Sequence, residues 1–295
     1  MASVTIPGSR HATSVQGDPL VPRMLLGLRL RELREAAGLS REDAGAAIRG
    51  SSSKISRLEL GRIGCKRRDI ADLLSLYGVS DEAPRATLLA LADQANGRAW
   101  WHADRDIVPE WVRPYLSAEQ TARLVRCFES QFVPGLLQTE DYAREVIRRV
   151  VPEHEVDRRV DLRMGRQRVL RRRPRPLNLW AVLDESALWR PIGGPRTMRA
   201  QLQHIIDLCG RPNVTVQIAP YGICGRVAGD GPVTLVRFPQ QGLPDMVYLE
   251  RHNSAVYPFR RAEIEHHWHT FNTLVTEAAP PEQTVPILRR TLDTY

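Results

Sequence analysis

Between Leu39 and Gly61 the chain reads LSREDAGAAIRGSSSKISRLELG. Three consecutive serines before Lys-Ile-Ser-Arg-Leu-Glu make a poor helix by intrinsic propensity, because short hydroxyl side chains compete for nearby backbone groups. Their chemistry suits a different task. If Ile55 and Leu58 face a core, steps of about 100° per residue place Ser53 and Arg57 outward, with Lys54 and Ser56 flanking them. Serine hydroxyls donate to or accept from phosphates and base edges, and the planar fork of Arg57 matches guanine O6 and N7. A helix start built from small residues also lets the backbone come close to DNA.

The surrounding pattern predicts the elements that would hold these residues. Leu26, Leu30, Leu33 and Ala37 follow i, i+4, i+7 and i+11 spacing, the apolar stripe of a helix that Gly38 stops. Ser40 is a good N-cap with Asp43 three residues on, and Ala44, Ala47 and Ile48 form the next apolar face. A third short helix ends before Gly61, a fourth runs from about Arg68 to Tyr77, and a fifth from about Glu82 to Gln94. Five short helices predict one small all-α domain over residues 23–96. Residues 1–22, rich in glycine and proline without periodicity, are expected to be a disordered arm. Residues 97–115 read as a linker, and Trp100, Trp101 and Trp111 within it point to packing against a second domain or another subunit.

LRELREAAGLSRED and SSSKISRLELGR resemble the helix-turn-helix of the XRE family, the lambda-repressor-like DNA-binding domains. The resemblance implies a five-helix fold that reads double-stranded DNA. It puts Ser52, Ser53 and Arg57 where base readers sit, with Ser51, Lys54 and Ser56 beside them. Arg41 falls at a phosphate-contacting position, Arg62 and Lys66 in a phosphate-binding loop, and Glu59 where a glutamate pairs with a helix-1 arginine, here Arg34. Two positions depart from the pattern. Arg49 stands where the turn normally has glycine, and Gly45 replaces a usual alanine. A positive φ at Arg49 would cost ~1 kcal/mol.

Longer blocks, among them ADLLSLYGVSDEAPRATLLALADQA and VPEWVRPYLSAEQTARLVRCFESQFVPGLLQTEDYAREV, resemble an antitoxin-like regulator family of high-GC bacteria. That resemblance implies a C-terminal domain that dimerises or binds a small protein encoded by an adjacent gene. It also implies a homodimer on an operator with paired half-sites, acting as a repressor in the cytoplasm, at the nucleoid. The alternative is a C-terminal domain that senses a small molecule and so controls DNA binding.

The residues themselves predict an α+β domain over 116–295. Arg123–Phe132, Leu177–Leu183, Asn213–Ala219, Val233–Phe238 and Met246–Leu249 have strand character. Glu140–Arg149, Glu155–Arg172, Thr197–Leu208, Ala262–Glu277 and Val285–Leu292 have helical period. Pro134-Gly135 predicts a turn, with Thr139 capping the helix that follows.

Charge is unevenly spread. The net charge is +8, and 40 of the 42 basic residues are arginine, a bias that fits a GC-rich genome and so does not itself indicate nucleic acid. Arg23–Gly78 holds 12 basic against 7 acidic residues, and Arg144–Pro176 holds 12 against 5, so the remainder is net acidic. The second block reads as a solvated face or as a docking surface. Catalysis finds little support: Asp184-Glu185-Ser186 defines no convergent site, and no nucleotide or hydrolase fingerprint is present. His266 and His269 with Glu265 share a helix face, but no third ligand is identifiable, so neither a metal nor a cofactor is expected. Cys65, Cys127, Cys209 and Cys224 are too widely spaced to suggest a disulfide framework. Neither a membrane span nor a signal peptide is expected.

Overall fold

The computed structural model describes residues 18–222, 231–240 and 242–295, and the chain divides into two units between Ala103 and Asp104. The division falls inside the expected linker, leaving Trp100 and Trp101 in the first unit and Trp111 in the second.

The first unit contains α1 (Leu20–Ala36), α2 (Arg41–Ala47), α3 (Ser52–Glu59), α4 (Arg67–Leu76) and α5 (Glu82–Ala95). Leu26, Leu30, Ile55, Leu58, Ile70 and Leu73 join them in one core. Residues 1–17 of the expected arm lie outside the described residues, and the helix begins earlier than the apolar stripe indicates. Leu20 and Val21 are buried, the Asp18 carboxylate accepts the Leu20 amide at 3.0 Å, and Arg23 Nε donates to the Ala95 carbonyl at 2.7 Å. Pro19 and Pro22 suggested a loop, yet proline is tolerated in a first turn, where its missing N–H would have no helical partner. Ala47, expected inward, is exposed at the end of the seven-residue α2.

Four helix ends close alike. The amide after each helix bonds the carbonyl five residues back: Leu39 to Arg34, Gly50 to Gly45, Arg62 to Arg57 and Val79 to Leu74. This closure needs a left-handed residue just past the helix. Gly38, Gly61 and Gly78 supply it at φ of 69°, 65° and 76°, and Arg49 supplies it at 50°. The family-like turn is therefore kept in register, with arginine in the strained position. Gly45 meets a second need: a Cβ there would lie 3.0 Å from the Gly50 carbonyl oxygen.

The second unit is a mixed six-stranded sheet with helices, the α+β domain expected. Its strands are β1 (Leu124–Glu129), β2 (Asn178–Asp184), β3 (Val214–Ala219), β4 (Val233–Arg237), β5 (Met246–Arg251) and β6 (Ser254–Val256), in spatial order β3-β2-β1-β4-β5-β6. β1, β2 and β3 run parallel and the remaining pairs antiparallel. The β1–β2 crossover carries α7 (Glu140–Ile147) and α8 (Glu153–Arg166), and the β2–β3 crossover carries α9 (Ser186–Trp189) and α10 (Gly194–Cys209). Thr139 caps α7 by accepting the Tyr142 amide. Before β1 lies α6 (Arg113–Thr121), and the chain ends with α11 (Arg261–Glu277) and α12 (Pro281–Leu292).

Side-chain alternation divides the sheet into two faces. Phe128, Val182, Leu235 and Val247 pack with Phe271 and Leu274 of α11. The opposite face turns Cys127 and Tyr248 the other way, and the Tyr115 ring of α6 stacks on Tyr248 at 4.4 Å.

Candidate nucleic-acid interface

α2 and α3 are set by their caps. Ser40 Oγ accepts the Asp43 amide at 3.1 Å while Asp43 Oδ2 accepts the Ser40 hydroxyl at 2.6 Å and the Ser40 amide at 2.9 Å, and these two donors to the carboxylate lower the Asp43 pKa. Ser51 Oγ accepts the Lys54 amide at 3.2 Å and so begins α3. One acceptor site of its hydroxyl is thus committed to the helix, which leaves the O–H donor and a second lone pair. Ser51, expected beside base readers, is the N-cap of α3.

α3 then presents its residues in two ways. Ile55 and Leu58 are buried, Ser53 and Arg57 exposed, Ser52 and Ser56 half-buried. Among the described residues Arg57 makes only a long internal hydrogen bond, 3.4 Å to the Ser53 carbonyl, and no ion pair, and the residue is exposed. Lys54 differs. Its ammonium lies 2.6 Å from Asp69 Oδ2 of α4, so the structure directs it along the unit rather than outward.

Glu59 joins three helices. It receives Arg34 Nε at 2.6 Å and Nη2 at 3.2 Å, with both side chains buried, and Arg41 Nε at 3.2 Å. The fork geometry holds the Arg34 guanidinium above its ordinary pKa, the Glu59 hydrogen bond outweighing desolvation. Arg41, expected at a phosphate, is thus tied to α3 through Nε, and its residue remains exposed. Arg62 and Lys66 are exposed on the segment between α3 and α4, where Lys66 is the N-cap residue of α4.

Two determinants escape a sequence reading. Gly27 lets α1 touch the end of α3: a Cβ there would lie 2.5 Å from the Leu58 carbonyl oxygen and 2.6 Å from that of Glu59. Asp69, fifteen residues from Lys54, decides where that lysine goes. Neither contact leaves a local signature.

Five of the twelve arginines of the second basic block form ion pairs within their own unit. Arg144 holds Asp157, Arg158 holds Asp106 at 2.6 Å, Arg159 holds Glu155 at 2.7 Å and Arg166 holds Glu119 at 2.8 Å. Arg172 donates to the carbonyls of Gln120 and Ala122. Arg149, Arg171, Arg173 and Arg175 are exposed.

A model described as a helix-turn-helix domain matches residues 25–88, and one described as a domain of unknown function, DUF5753, matches residues 112–290. The second match spans more than half of the chain. The chain belongs to the DUF5753 family. No curated protein and no solved structure matches it. In this DUF5753 protein the helix-turn-helix match encloses the whole of α2 and α3 with the Arg34–Glu59 pair, and the protein is a helix-turn-helix DNA-binding regulator. The DUF5753 match begins just before α6 and ends within α12, so it takes in the whole sheet. No described helix is long and apolar enough to cross a membrane.

Proposed function

We propose that the protein is a sequence-specific repressor that reads a paired-half-site operator as a homodimer, with α3 in the major groove. Arg57 reads a guanine, Ser52, Ser53 and Ser56 make short-range contacts to bases and phosphates, and Arg41, Arg62 and Lys66 neutralise phosphates. What supports this most is the contrast on α3: Arg57 is exposed and unpaired by any carboxylate, while Lys54, three residues earlier, is held by Asp69. A fork left free beside small hydroxyl residues is the arrangement that bidentate base readout requires.

The C-terminal unit is the antitoxin-like part. It holds the dimer together, and a small protein encoded by an adjacent gene binds it and changes operator occupancy in the cytoplasm. Two proteins that fail to co-purify would remove that partner. The second reading, a C-terminal small-molecule sensor, is favoured by a charged recess described in the next subsection.

The deciding experiment selects host-genome fragments with full-length protein at physiological salt, with Arg57→Ala in parallel. Wild type is expected to enrich a paired half-site, and Arg57→Ala to lose roughly 1–3 kcal/mol on it with relaxed preference at one position. Arg62→Ala should instead weaken all sequences alike and reduce the salt slope by about one. Equal loss on operator and random DNA for Arg57→Ala would refute its role.

A further inference from the structure

The sheet face opposite α11 carries charges that the nucleic-acid interface does not use. Cys127 pairs with Thr234 and Thr234 with Tyr248, so two residues further along the same face a row holds Glu129, Pro232 and Glu250. Glu129 and Glu250 thus stand two strands apart, about 10 Å between backbones, with proline between them.

Helices α6 and α8 bring arginines and an acid to this row. Arg166 and Glu119 satisfy each other through two contacts of 2.8 Å, and Tyr115 donates to the same carboxylate at 2.6 Å. Arg163 is not matched in this way. Its side chain donates to Gln138 Oε1 at 2.9 Å and makes no ion pair among the described residues. Glu129 makes neither a side-chain hydrogen bond nor an ion pair among them, and the buried Tyr248 hydroxyl, which stands beside the Glu250 carboxylate, has no well-formed hydrogen bond among them either. Arg163 and Glu129 are half-buried and Glu250 is exposed, so the cluster forms a solvent-open recess rather than a packed core.

Electrostatics shows what the recess lacks. Burial, with Arg166 nearby, lowers the Arg163 pKa to about 10. Burial and then Glu250 push the Glu129 carboxyl up to about 8, against the pull of Arg163 and Arg166. A guanidinium with carboxylates near it but none in contact, and a carboxyl driven toward neutrality, are both unfavourable where solvent is limited. An anion alone would leave the two glutamates repelling each other. A cation alone would leave Arg163 unpaired.

We propose that this recess binds a small zwitterion of the amino-acid class, its carboxylate on the Arg163 guanidinium and its ammonium between the Glu129 and Glu250 carboxyl groups. The Tyr248 hydroxyl supplies a further hydrogen bond. The stacked Tyr115 and Tyr248 rings and the Arg166–Glu119 pair form a rigid wall. As a regulatory site it rests on the sensor reading; as a binding site it does not.

Binding has a proton signature. Glu129 is faced by Tyr248 and Glu250 from β5, Arg163 and Arg166 from α8 and Glu119 from α6, with Cys127 beside it on β1. An arriving ammonium favours ionised Glu129, so below about pH 8 binding releases a proton and strengthens as pH rises.

The test uses full-length protein and each proteinogenic L-amino acid singly at millimolar concentration, read by thermal midpoint and then by calorimetry, with acetate and methylammonium as controls. At least one amino acid is expected to raise the midpoint and both controls to fail. Affinity should rise roughly tenfold per pH unit between about pH 6 and about pH 7.5, with that slope lost in Glu129→Gln and binding lost in Arg163→Met. Glu129→Gln keeps shape and polarity, so it remains informative if Arg163→Met does not fold. No stabilisation by any amino acid, equal stabilisation by acetate, or an unchanged pH slope in Glu129→Gln would each overturn the proposal. Binding that leaves operator occupancy unaltered would uphold the site and remove the sensor reading.

Discussion

Lys54 and Arg57 belong to one turn of α3, and what separates them is the partner that the rest of the unit supplies. Asp69 claims the lysine at 2.6 Å, whereas among the described residues no carboxylate reaches the arginine. Charge counted along the sequence treats the two alike; charge available to a partner does not. The second unit repeats the lesson with Arg166, matched by Glu119, and Arg163, which is not. Glu129 gives this a thermodynamic consequence. Its folded pKa of about 8 exceeds the ordinary value of 4.5, so between these the native state holds a proton that the unfolded chain releases. Stability from this group is complete below about pH 4.5 and is lost as pH rises through about 8. Glu129→Gln does not titrate. Its stability relative to wild type should therefore increase across that window and level off above it, measured by urea unfolding at a series of pH values; a difference independent of pH would reject the assigned shift.

At the scale of elements, the turn between α2 and α3 decides where the recognition helix starts. Arg49 holds at φ 50° the place that glycine takes at three equivalent helix ends, and among the described residues no side-chain partner compensates it. Arg49→Gly should therefore raise stability by roughly 1 kcal/mol in denaturant unfolding, leaving DNA affinity unchanged. Gly27→Ala should do the opposite. A Cβ driven to within 2.6 Å of two α3 carbonyl oxygens must push α1 away, at a cost of ~1–3 kcal/mol. Operator affinity should fall with it, because the same movement disturbs the Arg34–Glu59 contact. These cases also show what a sequence can disclose. Most helices and strands were legible because caps, stops and apolar period are local; α6, α9 and β6 were not read. Ser40, Thr139 and Gly38 act within a few residues of themselves. The parallel β1–β2–β3 order, the fate of Lys54 and the burial of Glu119 by Arg166, 47 residues away, depend on meetings at long separation that leave no periodic trace. α6 was obscured for a related reason: Ser117, Glu119 and Gln120 are polar residues that it buries.

For the whole molecule, the net charge of +8 overstates what is free to attract DNA. Five of the twelve arginines between Arg144 and Pro176 pair with carboxylates inside the second unit, and seven of the twelve basic residues of Arg23–Gly78 are likewise paired, so both blocks offer DNA less charge than their counts suggest. A single module of this kind covers only ~600–1,000 Å² of protein surface, too little for tight specific binding at physiological salt. Two copies acting together solve that problem, and they impose a geometric condition. Recognition helices fixed in a dimer meet half-sites about one helical turn apart, ~34 Å or 10–10.5 base pairs, or a multiple of it. Once the selected operator is known, inserting about half a turn between its half-sites should reduce affinity to that of an isolated half-site. Inserting a full turn should restore part of it only if the dimer can stretch. Light scattering on the free protein supplies the independent check, with the dimer's mass expected at binding concentrations. A monomeric mass together with insensitivity to the half-turn insertion would mean that each copy reads DNA alone, and the second unit would then have to act on occupancy without bridging two readers.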